Sequence, residues 1–109
     1  MESKFITRFL EKIIVRNGHT VQKVKNIAEI LSENLESVNL FFIKIDNSDG
    51  INQLKNLHSS QYGKISCVVI VENSQTSLAL EAIKNGCIEA LTLPLKVEEV
   101  DKIIQKVLM

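Results

Sequence analysis

The chain has 109 residues, of which 45% are hydrophobic and 24% charged, and its 13 basic and 13 acidic residues give a formal net charge of zero. This length fits a single small domain over residues 1–109 with one core. A neutral chain has no overall field to attract nucleic acid or an anionic membrane, and no apolar run is long enough to cross a bilayer. We therefore expect neither nucleic acid nor membrane as a partner.

Two cysteines and two histidines are the residues that most often carry thiol or transition-metal chemistry. Cys67 and Cys87 stand in apolar surroundings, which predicts buried free thiols in a cytoplasmic protein. His19 and His58 lie in separate segments without ligand spacing, so the sequence predicts no metal site. The N-terminus lacks the charge, apolar run and small residues of a signal peptide.

The hydrophobic pattern alternates between helical periods and short apolar runs, which indicates an α/β fold. Residues 4–17 carry an apolar stripe at helical spacing, and Asn17-Gly18 ends it, so the chain is predicted to begin with a helix. Residues 19–24 are a strand candidate. The stripe of the first helix consists of Phe5, Ile6, Phe9, Leu10, Ile13 and Ile14.

A second helix and a strongly apolar strand are predicted next. Asn26 and Glu29 resemble a capping box that opens the helix. Residues 38–45 form a nearly continuous apolar run, which is typical of a parallel strand covered on both faces. The apolar residues of the second helix are Ile27, Ile30, Leu31 and Leu35.

Five further elements complete a prediction of five helices and four strands. They are a helix that follows a turn at Asp49-Gly50 and carries Ile51, Leu54 and Leu57, a buried strand over 65–71, a helix over 76–85, a short strand over 89–92, and a terminal helix over 97–108. Gly18 and Gly86 are assigned to helix ends, and Gly50 and Gly63 to turns. The inward residues of the terminal helix are Val97, Val100, Ile103, Ile104, Val107 and Leu108.

The segment from Ala79 to Pro94, ALEAIKNGCIEALTLP, combines a helix ending in glycine, a tight turn, a short apolar strand and an X-Pro bond. With this order of elements the chain resembles the receiver domain of response regulators in two-component signalling, of the chemotaxis type. The resemblance implies a three-layer α/β sandwich with a flavodoxin-like parallel sheet of about four strands and five helices. The family's sheet order is 2-1-3-4-5, and its first strand is missing here.

That missing strand poses a physical problem. In the family it is central, and five or six buried aliphatic side chains contribute about 10 kcal/mol, which rivals a typical domain stability of about 5–15 kcal/mol. We therefore expect the gap to be covered by a partner, by a dimer, or by the second and third strands closing up. Two alternatives stay open: residues 4–7 form the strand, or the chain lacks residues of the natural gene product.

The resemblance also assigns the positions of the family's phosphoacceptor and metal ligands. The acceptor aspartate at the end of the third strand falls on Lys44, and a shifted register offers Asp46, two residues on and on the same side of the strand. Turn formation and helix capping are the simpler interpretation of Asp46 and Asp49. The acidic pair that holds Mg²⁺ falls on Met1 and Glu2, which leaves Glu2 as the weak metal candidate.

Three further functional positions of the family carry residues that cannot perform the family's chemistry. The hydroxyl switch falls on Val71, the aromatic switch on Ala90, and the lysine before the proline on Leu93. The family holds the bond before this proline in cis, which the resemblance implies for Leu93-Pro94.

The function implied is that of a degenerate receiver, a pseudo-receiver that acts as a non-catalytic interaction or regulatory module in phosphorelay signalling, without a cofactor. Its implied partners are a histidine kinase, another receiver, or a second copy in a homodimer. Two alternatives remain: an active receiver that uses Asp46 with Mg²⁺, and an unrelated flavodoxin-like ligand-binding module. The family's interaction face falls on Leu78, Glu81, Ala90, Thr92, Leu95, Lys96, Glu99 and Lys102.

Overall fold

The computed structural model describes residues 4–24, 30 and 38–108, with side chains from residue 6 onward. These residues belong to two compact units, one of residues 1–23 and 95–109 and the other of residues 24–94. That the units form one domain stays a prediction. Within the described ranges, no helix has the length and apolar character needed to cross a membrane. The helices are α1 (Lys4–Arg16), α2 (Ser48–His58), α3 (Thr76–Lys84) and α4 (Val97–Leu108), and the strands are β1 (Leu40–Lys44), β2 (Ser66–Val71) and β3 (Glu89–Thr92).

The three described strands form one parallel sheet in the order β1-β2-β3. The register places Lys44 beside Ile70 and Val71 beside Thr92. The central strand β2 is buried along its length, apart from the half-buried Ser66 at its start. Burial on both faces is the pattern expected of a parallel strand between helices, and the predicted α/β class with a flavodoxin-like parallel sheet is confirmed.

Strand β1 differs from its prediction, because it is not covered on both faces. Phe41 and Ile43 are buried, whereas Leu40, Phe42 and Lys44 alternate with them and stay half-buried. In the described sheet β1 has one neighbour, β2, so it is an edge strand. Because no further described strand extends the sheet beyond β1, the layer that covers the sheet ends there. Side chains on one face of β1 therefore stay accessible to solvent.

The predicted strand over residues 19–24 is wrong, because these residues are described and form no strand. In the order 2-1-3-4-5, the only neighbour of the second strand is the first. A strand without a neighbour has no ladder to satisfy its backbone groups. The prediction that the second and third strands close up is therefore also wrong. That a partner or a dimer covers the gap stays a prediction. Residues 4–7 open α1, so they are not the missing strand.

Much of the predicted second helix lies outside the described residues. Ile30 is the exception: it is helical and buried in the core of the sheet-containing unit. The prediction for Asn26, Ile27, Glu29, Leu31 and Leu35 cannot be followed further, because these residues are among those not described.

Helix α1 ends where the sequence predicts, through a Schellman motif. Gly18 adopts a positive φ of 86°. Its N–H donates to the carbonyl of Val15 at 2.9 Å, and the N–H of His19 donates to that of Ile14 at 3.2 Å. These two bonds satisfy carbonyls that a helix end otherwise leaves unpaired, and glycine supplies the left-handed backbone without a Cβ penalty.

Helices α1 and α4 pack together in one unit and are joined by polar bonds at the end of α1. Arg16 donates to both carboxylate oxygens of Asp101, at 3.0 and 2.9 Å, and Asn17 Nδ2 donates to Oδ1 at 2.9 Å. The apolar stripes are only partly buried, since the predicted inward residues Val97, Val107 and Leu108 remain half-exposed. The buried members of the two stripes are Leu10, Ile13, Val100, Ile103 and Ile104.

Helix α2 begins earlier than predicted. Asn47 is its N-cap, with its side chain accepting from the N–H of Asp49 at 3.0 Å, so Asp49-Gly50 lies inside the first turn. Gly50 is thus a helical residue and not the turn residue that the sequence predicts. A Cβ atom at Gly50 would lie 2.7 Å from the Cβ of Ile45, which is buried, so glycine permits this close approach.

We expect Gly50→Ala to lower the free energy of unfolding by about 1–3 kcal/mol, because the added methyl overpacks against Ile45. Urea unfolding followed by circular dichroism measures the change. Asn52→Ala is the matched control, since Asn52 is exposed on the same helix and alanine favours helix. A Gly50→Ala midpoint equal to that of the control would contradict the close approach.

Asp101 predicts a pH dependence of stability. The hydrogen bond from Asn17, and then that from Arg16, lower the pKa of the Asp101 carboxyl below its ordinary 3.8. Because the folded pKa lies below the unfolded one, the stabilisation is present above the unfolded pKa and is lost as pH falls through the folded pKa. Wild type should therefore have a higher Tm than Asp101→Asn at neutral pH, and the difference in Tm should disappear as pH falls below the folded pKa. A constant difference in Tm would contradict this linkage.

Candidate functional site

The carboxyl ends of the three strands lie at one edge of the sheet, because the strands are parallel. Lys44 ends β1, Val71 ends β2 and Thr92 ends β3. In open α/β sheets of this kind, ligands bind outside the carboxyl ends of the strands. The polar side chains at this edge are therefore the candidate site.

A lysine and two carboxylates meet at this edge and form what we term the acid–lysine cluster: Lys44, Asp46 and Glu72. The ammonium of Lys44 makes a short ion pair with Oδ1 of Asp46 and lies 3.8 Å from Oε1 of Glu72. The Lys44 side chain is 17% exposed, against 42% for Asp46 and 52% for Glu72. The positive charge is thus the more withdrawn from water, with two carboxylates around it.

The charge on Asp46 is stabilised by the lysine. The hydrogen bond from Lys44 is the main cause that lowers the pKa of the Asp46 carboxyl below its ordinary 3.8. The backbone is also held, since Gln75 Nε2 donates to the carbonyl of Asp46 at 2.8 Å. At neutral pH the cluster therefore contains an ionised Asp46 with its carboxylate already engaged by a cation.

Sequence reasoning missed two residues of this edge, Glu72 and Gln75. It followed the family's switch position, Val71, and did not consider the residue directly after it. A signal was present: Glu72 follows a strongly apolar strand, and carboxyl ends of parallel strands meet at the same edge.

Val71 ends β2, Ala90 lies within β3 and Leu93 directly follows β3. Val71 is fully buried, and its carbonyl accepts from the N–H of Leu93 at 3.0 Å. The Leu93-Pro94 peptide is cis, as the resemblance implies. Ala90 is half-buried, and Glu2 lies outside the described residues. In the described part of the chain, no three His, Cys, Asp or Glu side chains are grouped so that they could hold a metal ion.

The predicted interaction face needs one correction. Leu78 is buried, with 8% exposure, because it belongs to the apolar side of α3 that packs into the core. In the unit of residues 24–94, Glu81 and Thr92 are exposed and Ala90 is half-buried. The remaining members belong to the other unit, where Leu95 is half-buried and Lys96, Glu99 and Lys102 are exposed.

A second group of reactive side chains lies near the amino ends of β2 and β3. Cys67 and Cys87 are free and buried, as predicted. The Cys67 thiol and the His58 imidazole both lie close enough to Cys87 to lower the pKa of its thiol. The sequence separates these three residues, but the fold brings them together as a cysteine–histidine cluster.

Comparison with known proteins identifies the fold. No protein-family model matches the chain, and no curated protein matches it. Among solved structures, the receiver domain of NtrX from Brucella abortus superposes with a TM-score of 0.83 at 19% identity, over 95% of this chain and 90% of that one. A response regulator from Thermotoga maritima gives 0.77 at 14% identity, over 96% and 89%.

A third structure, a CheY-like receiver domain protein from Methanospirillum hungatei, gives a TM-score of 0.74 at 18% identity, over 96% of this chain and 86% of that one. The chain spans 24% of the longer NtrX structure. Similarity at these identities concerns the arrangement of the elements. The chain therefore has the fold of the response-regulator receiver domain.

Proposed function

We propose that the chain is a non-catalytic receiver-like module that acts in two-component signalling through contacts with other proteins. The observation that supports this proposal is the position of the Lys44 ammonium. It lies at the carboxyl edge of the sheet, between the carboxylates of Asp46 and Glu72. The Lys44 ammonium thus occupies the position in which a phosphorylatable site needs to bind a metal ion.

The physical argument concerns charge. Phosphoryl transfer to a carboxylate requires a divalent cation that neutralises the charge developing on the phosphoryl oxygens. A cation at Asp46 and Glu72 would lie close to the Lys44 ammonium, and like charges at such distances repel each other. The positions that would bind the phosphoryl oxygens carry Val71 and Leu93, whose side chains have no hydrogen-bond donor. The cluster is therefore suited to permanent pairing of the Lys44 ammonium with the carboxylates of Asp46 and Glu72, and not to phosphoryl transfer.

Support for a protein partner comes from the outer side of α3. Leu80 is 62% exposed and Ile83 is 46% exposed. Residues three apart in a helix lie on the same side, so the two side chains form one apolar surface, with the exposed Glu81 beside it. We assign this surface to contact with a second copy of the chain, a histidine kinase or another receiver, with the homodimer as the first case to test.

Lys44→Asp tests the proposed role of the internal cation. We expect this variant to bind Mn²⁺ at least about tenfold more tightly than wild type, because one positive charge near the ion is replaced by a negative one. Water-proton relaxation during a Mn²⁺ titration measures the affinity. Lys55→Asp makes the same change of charge at an exposed site on α2 and should leave the affinity near that of wild type.

Wild-type chain incubated with acetyl phosphate and Mg²⁺ should show no phosphoryl adduct by intact-mass analysis. An adduct that disappears in Asp46→Ala would contradict the proposal and assign an active phosphoacceptor instead. Equal Mn²⁺ affinity of Lys44→Asp and Lys55→Asp would show that the Lys44 charge does not oppose metal binding at the cluster.

Self-association is tested by light scattering over a range of concentrations. We expect the wild type to dimerise. The double variant Leu80→Glu, Ile83→Glu should lower the dimerisation affinity at least about tenfold, because the loss of apolar contacts at the centre of an interface reduces binding most. The double variant Thr76→Glu, Ser77→Glu on the same helix is the control, since both residues are exposed and the change adds the same two charges. A monomeric wild type at all concentrations would contradict the homodimer and leave a separate protein as the partner.

A further inference from the structure

We propose that Cys67 and Cys87 form an oxidant-sensitive thiol pair, in which a peroxide attacks at Cys87 and Cys67 resolves the product to a disulfide. This site lies near the amino ends of the strands, away from the acid–lysine cluster at their carboxyl ends. It is independent of the proposed signalling function, because none of its residues takes part in the phosphoryl positions.

The sheet holds the two cysteines beside each other. Val68 pairs with Glu89, and the N–H of Ile88 donates to the carbonyl of Cys67 at 2.9 Å, so the backbone next to Cys87 runs alongside Cys67. Ile88 is the residue across from Cys67, and Cys87 comes one residue before it; both cysteines belong to one buried cluster, so their side chains lie on the same face of the sheet. Because the two thiols lie on one face and close enough for each to shift the pKa of the other, a disulfide needs little rearrangement.

The two sulfurs differ in their access to solvent. Cys67 lies within β2 and has no exposed surface. Cys87 is 4% exposed but lies between two exposed residues of a turn, Gly86 and Ile88, the latter 41% exposed. The His58 ring covers the side of this turn where a Cβ atom of Gly86 would stand, and the solvent side of Gly86 stays open. A small oxidant therefore reaches Cys87 through this turn before it reaches Cys67.

The surrounding groups favour a thiolate at Cys87. The His58 ring lies against the turn that holds Cys87: its Nε2, which has no hydrogen-bond partner among the described residues, is 3.1 Å from the position that a Cβ atom of Gly86 would take. The hydrogen bond from Cys67, and then that from His58, lower the pKa of Cys87 to about 7, while the same contact and burial raise the pKa of Cys67. A thiolate beside histidine is the form that reacts with peroxides.

The reaction balances with hydrogen peroxide as the oxidant. The Cys87 thiolate attacks one peroxide oxygen, the O–O bond breaks, and Cys87 becomes a sulfenic acid as hydroxide leaves. The Cys67 sulfur then attacks the Cys87 sulfur, the S–O bond breaks, and the hydroxyl group leaves as water with the Cys67 proton. In total, two thiols and one peroxide give one disulfide and two waters.

The test treats the full wild-type chain with hydrogen peroxide under native conditions, blocks remaining thiols with iodoacetamide, and measures the intact mass. We expect the loss of two hydrogens, no alkylation, and full reversal by dithiothreitol. The folded chain should react at least about tenfold faster than the chain in concentrated urea, since the pair is arranged by the fold. Equal rates, or oxidation of Cys87 beyond sulfenic acid without a disulfide, would overturn the proposal.

Single variants separate the two roles. Cys67→Ser should stop at a Cys87 sulfenic acid that dimedone traps, whereas Cys87→Ser should leave Cys67 reduced at the same dose. His58→Gln should slow the reaction several-fold and still give the disulfide. If Cys67 reacts first, the assignment of roles is wrong. Circular dichroism checks that each variant is folded, and peptide mapping of the oxidised wild type tests the pairing without any substitution.

Discussion

The parallel ladder of β2 with its two neighbours is the constraint on which the rest of the structure depends. β2 is buried along nearly its whole length, and every residue of its register fixes a residue of β1 or β3. A shift of one residue would turn apolar side chains from one face of the sheet to the other, so burial holds the register. That register places the acid–lysine cluster at one edge of the sheet and the cysteine–histidine cluster near the opposite edge.

The acid–lysine cluster is held together by the charge of Lys44. A partly buried ammonium needs carboxylate partners, because an unpaired charge away from water is costly. Lys44 obtains two of them, from the residues that follow β1 and β2. These are the places where an open parallel sheet gathers polar groups, so a lysine satisfies the same carboxylates that would otherwise attract a cation.

Local signals predicted the helices and strands where neighbouring residues decide the outcome. The strand over 89–92 and the helix over 97–108 were predicted with the bounds that the structure has, since their patterns and end signals are local. The prediction of a strand over 19–24 was wrong, because strand formation depends on a neighbouring strand to pair with, which the local sequence does not reveal. The prediction that Gly50 lies in a turn was wrong for a similar reason: its role is a close contact with Ile45 across the start of α2.

By itself, the sequence determined the ends of α1 and α3, through glycines whose positive φ other residues avoid, and it places no hydroxyl, aromatic or lysine side chain at Val71, Ala90 and Leu93. Only the tertiary structure decided that Glu72 joins Lys44 and Asp46, and that His58 meets Cys87. These partners are separated along the chain by a helix or more. Their meeting depends on strand register and helix packing, which arise from burial of the whole core and not from any short segment.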